Sequence, residues 1–287
     1  MGFRTVIISS HSKLELSMNY LVFKTIDEVK RINISEIQTV IIETTAVSVT
    51  SALLAELIRQ KIKVIFCDEK RNPISELIPY FGDSISYKRI NEQIMWEKEI
   101  KDKIWKVIIE EKIKQQARVL SLKSLEDGNA LLSFSFDVKD GDITNREGHA
   151  AKFYFNRIYG SEFARSNEDE INTYLNYGYT LLLSQFNRCI VAKGYLTQLG
   201  IHHKNEFNQF NLSCDLMEPF RPFIDERVDK LNNNNFKEEL VKVLSEYFII
   251  DGQKQTMANA INISCSSVFS ALNTGKIDKI KFLSNYE

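Results

Sequence analysis

Residues 86–120 read SYKRINEQIMWEKEIKDKIWKVIIEEKIKQQARVL. Neither Gly nor Pro interrupts them, and Ile90, Ile94, Trp105, Ile108, Ile109 and Ile113 recur at three- and four-residue steps. That is the period of one helix face, so the stretch predicts one long amphipathic helix. Glu97–Lys101 and Glu99–Lys103 stand four apart on it, pairs worth about 0.3 kcal/mol each. The stretch decides the fold because the chain before it reads as strand and the chain after it as helix.

Working backwards, RNPISELIPYFGDS (71–84) carries Pro73, Pro79 and Gly82, breakers that suit a linker. Before it, FRTVIIS (3–9), KLELS (13–17) and YLVFK (20–24) are short runs rich in β-branched or aromatic residues, and further strands are expected at 36–43 and 63–67. Between these last two, SALLAELIRQK (51–61) puts Leu53, Leu54, Leu57 and Ile58 on one helix face, with Thr50 or Ser51 as N-cap. Working forwards, helical patterns run at 148–159, 171–199 and 218–231. An Asn run follows at 232–235, then a helical FKEELVKVLSEYF (236–248), a tight turn at Asp251-Gly252 and a final helix over 257–272. The expected fold is therefore α+β: a small β-rich domain at 1–72, a linker at 73–87 and a larger all-α domain at 88–287.

The chain has 287 residues, 44% hydrophobic and 26% charged, which is the composition of a globular protein with a sizeable core. Its apolar runs, such as Val6-Ile7-Ile8 and Leu181-Leu182-Leu183, are too short to span a bilayer. MGFRTVIISSHSKL has neither the pattern of a secretion signal nor, with Val6 in place of Ser or Thr, that of a myristoylation site. Cys67, Cys189, Cys214 and Cys265 form no C-x-x-C pair, so they read as reduced thiols of a cytoplasmic protein, and a structural zinc site is not expected. Net charge is −1, yet residues 86–123 hold ten Lys or Arg against six acids, with Glu126, Asp127, Asp137, Asp140 and Asp142 following. The uneven spread points to a basic helix face rather than a basic protein.

Few residues carry chemistry. Of the four histidines, His11 reads as a surface turn residue, His149 lies on the helix that begins near Thr144, and His202 and His203 follow Gly200 beyond a helix end. The densest polar stretch is FNQFNLSCDLMEPFRP (207–222), where Asp215 and Glu218 stand three apart among Leu212, Leu216, Met217 and Phe220. A carboxylate in such apolar company needs a counter-ion or a metal, and Arg221 is an obvious salt-bridge partner. Glu147 has a structural reading of its own, since Thr144-Asn145-Arg146-Glu147 fits a capping box. The residues alone leave metal site, cap and salt bridge all open.

These same residues carry a resemblance. NREGHAAKFYFNRIYG (145–160), NYGYTLLLSQFNRCIVAKGYLTQLGIHH (176–203) and FNQFNLSCDLMEPFRP resemble the core motifs of the CRISPR-associated integrase/endonuclease family, Cas-one. The opening MGFRTVIISSHSKL and IETTAVSVTSALLAELI (42–58) are similar to its type II-like variety, and the likeness runs in order over nearly the whole chain, weakening after about Lys230.

The resemblance implies that Glu147, His203 and Glu218 are the catalytic metal ligands. The family's histidine falls three residues after the glycine, which selects His203 over His202, and Asp215 matches an acid that stands behind the ligands. It implies Mg²⁺ or Mn²⁺, and two carboxylates with one imidazole suit such ions. The implied reaction is insertion of prespacer DNA into a CRISPR repeat by attack of a 3′-hydroxyl, a transesterification that needs no protein nucleophile. Lys88, Arg89, Lys101, Lys103, Lys106, Lys114 and Arg118 are candidates for phosphate contacts, each also readable as part of a solvated helix face. Implied partners are double-stranded DNA, a second copy joined through the β-rich domain, and a small protein, Cas-two, whose dimer is flanked by two such dimers. A hydrolytic metal-dependent nuclease, a non-catalytic DNA-binding scaffold and a structural helical protein are the competing readings.

Overall fold

The computed structural model describes residues 4–69, 71, 73–80, 86–231 and 235–285. What the sequence suggests for 1–3, for Asn72, for 81–85 with Gly82, and for 232–234 of the Asn run lies outside the described residues. The chain divides into two compact units, Met1–Tyr80 and Phe81–Glu287.

The first unit runs β1 (Arg4–Ile8), β2 (Ser12–Ser17), β3 (Tyr20–Lys24), β4 (Val29–Asn33), β5 (Ile37–Ile42), β6 (Val47–Val49), α1 (Ser51–Arg59), β7 (Lys63–Cys67) and β8 (Pro73–Glu76). One sheet has the order β1-β5-β7-β8, parallel except for β8; the other has the order β4-β3-β2-β6. The β2–β3 hairpin turns through Met18 and Asn19, both at positive φ, as a primed two-residue turn requires. Val6, Ile8, Leu14, Leu21, Val40 and Ile42 pack with Leu53 and Leu57 of α1 into one core. Thr50, rather than Ser51, caps α1 by accepting the Leu53 N–H.

Residues 73–76, read from sequence as linker, are instead the edge strand β8. Pro73 is its first residue, a position where a missing N–H costs little, and Glu76 forms a buried ion pair with Lys63 of β7. Strands β4 and β6 were not anticipated: β4 is charged and half-exposed and β6 has three residues, so neither shows a clear apolar alternation.

The second unit contains α2 (Ser86–Ile94), α3 (Lys98–Ser121), α4 (Leu125–Phe136), α5 (Arg146–Tyr159), α6 (Glu170–Ala192), α7 (Asn211–Met217), α8 (Arg221–Asp229), α9 (Phe236–Lys242), β9 (Tyr247–Ile250), β10 (Gln253–Thr256), α10 (Met257–Thr274) and β11 (Leu283–Asn285). The long helix expected over 86–120 is thus two helices, broken at residues 95–97. Trp96 is the reason. It is buried against the rings of Tyr195 and Phe269, and its indole N–H donates to Asn273 Oδ1 at 2.8 Å. A Trp that must point at α10 takes its backbone out of helical register.

Helix α3 runs through the core, with Ile104, Trp105, Ile108, Ile109, Ile113 and Ala117 buried. The second unit is not wholly helical, however. Residues 247–250 leave the helix expected over 236–248 and form β9, flanked by β10 and β11 in a three-stranded antiparallel sheet. Phe248 and Ile250 are its buried residues, and Asp251 and Gly252, both at positive φ, make the tight turn into β10. Helix α4 was not anticipated, and α6 stops at Ala192 instead of continuing to 199, because Gly194 at φ 82° turns the chain. No helix of the described residues is long and apolar enough to cross a membrane, and none of the four cysteines is in a disulfide.

Candidate metal centre

Four separate pieces of chain supply the site, and local physics sets each one. The first is the buried side of α3. Trp105, Ile109, Lys112 and Gln116 follow one another at helical spacing along it, so Lys112 enters the core on the same stripe as apolar neighbours.

The second piece is the first turn of α5. Its N-cap is Asn145, in the left-handed region at φ 52°, accepting from the Gly148 N–H. The Asp142 carboxylate accepts from the N–H groups of Arg146 at 2.8 Å and Glu147 at 2.9 Å. The capping box suggested for Thr144 and Glu147 is therefore replaced by Asp142 and Asn145. That frees the Glu147 side chain, which reaches Lys112 Nζ at 2.6 Å.

The third piece is the loop after α6. Gln93 of α2 is buried and holds the loop from beneath: its amide donates to the carbonyls of Leu196 (2.8 Å) and Leu199 (2.9 Å), and its oxygen accepts the Leu196 N–H. The fourth piece, α7, brings in Asp215, whose side chain has no solvent exposure. One Asp215 oxygen accepts the N–H groups of Ile201 (2.6 Å) and His202 (2.9 Å); the other accepts that of His203 (3.2 Å) and lies 2.5 Å from His203 Nδ1. A Cβ on Gly200 would stand 2.5 Å from the His203 carbonyl oxygen and 2.8 Å from Asp215 Oδ2, so only glycine allows this close wrap. The His202 ring stacks flat on Trp105, centroids 4.4 Å apart, and pins the loop to α3.

The result is an imidazole oriented from behind. With Nδ1 committed to Asp215, His203 offers Nε2, the arrangement by which a carboxylate sets the tautomer of a metal-binding histidine. The Asp215 contact raises the His203 pKa above the ordinary value, outweighing the opposite effect of burial.

Glu218 opens a short 3₁₀ turn between α7 and α8, and its side chain is 4% exposed. Its Oε2 lies 2.6 Å from Lys112 Nζ and its Oε1 3.0 Å from Arg221 Nε. Burial pushes Glu218 up, but the Arg221 and Lys112 cations hold it below the usual carboxylate range. Lys112 in turn stays above the ordinary lysine value, because Glu218 and Glu147 overcome the effect of its burial. The salt-bridge reading of Glu218 is met, since it pairs with Arg221, and Glu218 also faces Glu147 across Lys112.

The donor set suits a divalent cation. Glu218 Oε2 is buried and has no hydrogen bond despite the nearby ammonium, Glu147 is partly open to solvent, and His203 presents a free ring nitrogen. Among the described residues no three such donors already converge at coordination distance. Lys112 stands between the two carboxylates instead.

Behind Glu218, Asp225 is buried and accepts a short hydrogen bond from the Tyr179 hydroxyl, whose ring lies under the Arg221 guanidinium. Burial pushes Asp225 up to about 6 against the pull of Tyr179 and Arg221. A carboxyl raised on folding contributes stability at low pH that is lost as pH rises through its folded value. Relative to Asp225→Asn, the wild-type chain is therefore expected to lose about 2 kcal/mol of stability between pH 4 and pH 7. Urea melts across that range test this; a pH-independent difference would refute it.

The candidate phosphate contacts are scattered. Lys101 lines a cleft of about 460 Å³ together with His203, Gly200 and Lys204, the last a cation that sequence reasoning passed over. Lys114 is exposed, while Lys88 and Arg89 pair with Glu92 and Lys103 with Glu99. Lys106 lies between Glu110 and Asp140. Arg118 is held by Glu226 at 2.9 Å and packs on the Phe223 ring. His149 and His11 are exposed. Lys112 is the main residue sequence reasoning missed; the available signal was a lysine standing on an apolar helix stripe.

The chain is 29% identical over 293 residues to a CRISPR-associated endonuclease Cas1 from Neisseria meningitidis, covering 97% of this chain and 94% of the relative. It is 26% identical to one from Francisella tularensis subsp. novicida, covering 78% and 77%. Among solved structures, a Cas1 protein from Thermotoga maritima shares the fold with a TM-score of 0.77 at 16% identity, covering 99% of this chain and all of that one. A casposase bound to its integration product superposes with a TM-score of 0.77 at 21% identity, covering 95% and 91%. The family model described as CRISPR associated protein Cas1 matches residues 5–262, and the chain belongs to that family.

Proposed function

We propose that the chain is a cytoplasmic, metal-dependent DNA integrase of CRISPR adaptation, inserting prespacer DNA into the array through 3′-hydroxyl attack on the repeat. The observation that carries this reading is the meeting of Glu147 and Glu218 at the Lys112 ammonium, with the Asp215-braced His203 near enough to feel both carboxylates. Glu147, His203 and Glu218 would hold Mg²⁺ or Mn²⁺; when bound, the ion polarises the scissile phosphate and stabilises the departing 3′ oxygen. Asp215 keeps His203 in the tautomer that presents Nε2, and Arg221 holds Glu218 in place from one side. In the exchange, the attacking 3′ oxygen forms a bond to phosphorus as the bond to the departing 3′ oxygen breaks. The proton lost by the first hydroxyl is matched by one gained on the second, so no residue of the chain is consumed.

Lys101 and Lys204, beside His203, are placed to receive phosphates of double-stranded DNA, and Lys88, Arg89, Lys103, Lys106 and Lys114 extend the candidate contact surface. Arg118, committed to Glu226, is the weakest of these candidates. We assign residues 1–72 to a homodimer contact, and a small Cas2 (Cas-two) dimer to the role of bridging two such dimers. Support for the Cas2 partner alone comes from a solved Cas6-RT-Cas1–Cas2 complex, in which a chain shares this fold with a TM-score of 0.76 over 96% of the present chain.

The test is joining of a short duplex with free 3′-hydroxyls to a supercoiled repeat-bearing plasmid, with the partner protein present. Joining is expected to require Mg²⁺ or Mn²⁺ and to fall at least about 100-fold in Glu147→Ala and His203→Ala. Unchanged joining in these variants would place the chemistry elsewhere. The name endonuclease borne by the relatives favours hydrolysis as the second reading; metal-dependent cleavage without joining, in the same assay, would select it.

A further inference from the structure

Lys112 is a lysine at 7% exposure whose ammonium touches both candidate ligand carboxylates, at 2.6 Å from Glu147 Oε1 and 2.6 Å from Glu218 Oε2. Ordinary reasons for a buried ion pair do not explain the arrangement. One carboxylate with one cation would satisfy Lys112, and Glu218 already has Arg221. Two carboxylates brought this close without a cation between them repel each other, and Glu218, at 4% side-chain exposure, has almost no water to screen it. Lys112 therefore supplies the charge that lets α5 and the α7–α8 junction approach α3 together. One ammonium thus serves an oxygen of each carboxylate at the same distance.

We infer that Lys112 is a positioning residue that occupies the cation position between Glu147 and Glu218 and is displaced when a divalent ion binds. The inference rests on the metal reading above. A Mn²⁺ or Mg²⁺ ion draws carboxylate oxygens to about 2.0–2.2 Å, closer than an ammonium does, and the two cations cannot share the space. Lysine suits the exchange, because its charge sits on a flexible four-carbon stem that can withdraw. Metal uptake then replaces one positive charge with two, so Lys112 holds the ligands in register beforehand and weakens metal affinity by competing for them.

Mn²⁺ titration of the full chain by calorimetry, together with thermal melts in chelator and in Mn²⁺, tests this. Lys112→Met is expected to bind Mn²⁺ about tenfold more tightly, to melt lower without metal, and to gain more from Mn²⁺ than the wild type. Lys112→Arg, which keeps the charge, is expected to stay within about threefold of wild-type affinity. In the wild-type chain, amine-selective labelling of Lys112 followed by peptide mass spectrometry is expected to rise several-fold on adding Mn²⁺, a readout that needs no variant to fold. Affinity unchanged or weakened in Lys112→Met, or labelling indifferent to Mn²⁺, overturns the inference while wild-type Mn²⁺ binding leaves the metal reading standing. Absence of Mn²⁺ binding to the wild type overturns both.

Discussion

Glu218→Ala is expected to lower metal-dependent joining by on the order of 10³-fold or more and to destabilise the chain even without metal. Both effects come from one carboxylate. As a ligand, Glu218 would fix an ion worth several kcal/mol of transition-state stabilisation, and each 1.36 kcal/mol lost is tenfold in rate. As a counter-ion it faces Lys112 and Arg221, both held against it in the interior. Removing one partner of a buried pair leaves an uncompensated charge at a cost of about 3–5 kcal/mol. Lys112 keeps Glu147 and Arg221 is partly open to solvent, so the lower end of that range is expected. Urea melts in chelator isolate the structural part, and joining assays in Mn²⁺ read the sum. Glu218→Gln separates the two further, since it keeps the shape and removes the charge. A Glu218→Ala chain as stable as wild type in chelator would show that the Lys112–Glu218–Arg221 contacts contribute nothing.

The second large effect is expected at a residue that stands behind the candidate ligand His203. Asp215→Ala should cost about 4 kcal/mol and weaken Mn²⁺ binding by about 10–100-fold. The Asp215 carboxylate accepts three consecutive backbone N–H groups and meets the His203 ring. Ile201 is itself buried, so water does not readily replace the carboxylate at its N–H. An alanine there strands these donors and frees the imidazole to rotate, so stability and metal affinity fall together. Asp215→Asn, whose oxygen can serve only one side of the loop, is expected to fall between alanine and wild type. Melts with Mn²⁺ titrations at one fixed pH decide this. A variant that loses stability but binds Mn²⁺ normally would show that His203 does not depend on Asp215.

How much of this was written in the sequence differs between the two units. In the first, strands β1, β2, β3, β5 and β7 and helix α1 follow from short β-branched runs and one amphipathic stretch, signals that arise within a few residues. Strand β8 escaped because its pairing with β7 is anchored by Lys63 and Glu76, thirteen residues apart, and proline disguised it. In the second unit the helical period was legible, but its interruptions were not. The break after α2 exists because Trp96 must reach Tyr195 and Phe269, and β9 leaves the helix because β10 and β11 offer it hydrogen-bond partners. Local propensity contains neither partner.

The site divides along the same line. The motifs containing Glu147, His203, Asp215 and Glu218 stand in the sequence by themselves, and their resemblance to a known family marked them. On local evidence Glu147 read first as a helix cap, and only the tertiary structure, which gives capping to Asp142 and Asn145, turned its side chain to Lys112. The sequence by itself determined the division into a β-rich part followed by a mainly helical one, and through its resemblance it named the candidate donors. The fold alone decided that Lys112, on a helix that reads as ordinary core, stands between two carboxylates from elsewhere in the chain. The physical reason is that periodicity records which face of a helix is buried, whereas the charge of a buried site is balanced through space, among groups that share no sequence neighbourhood.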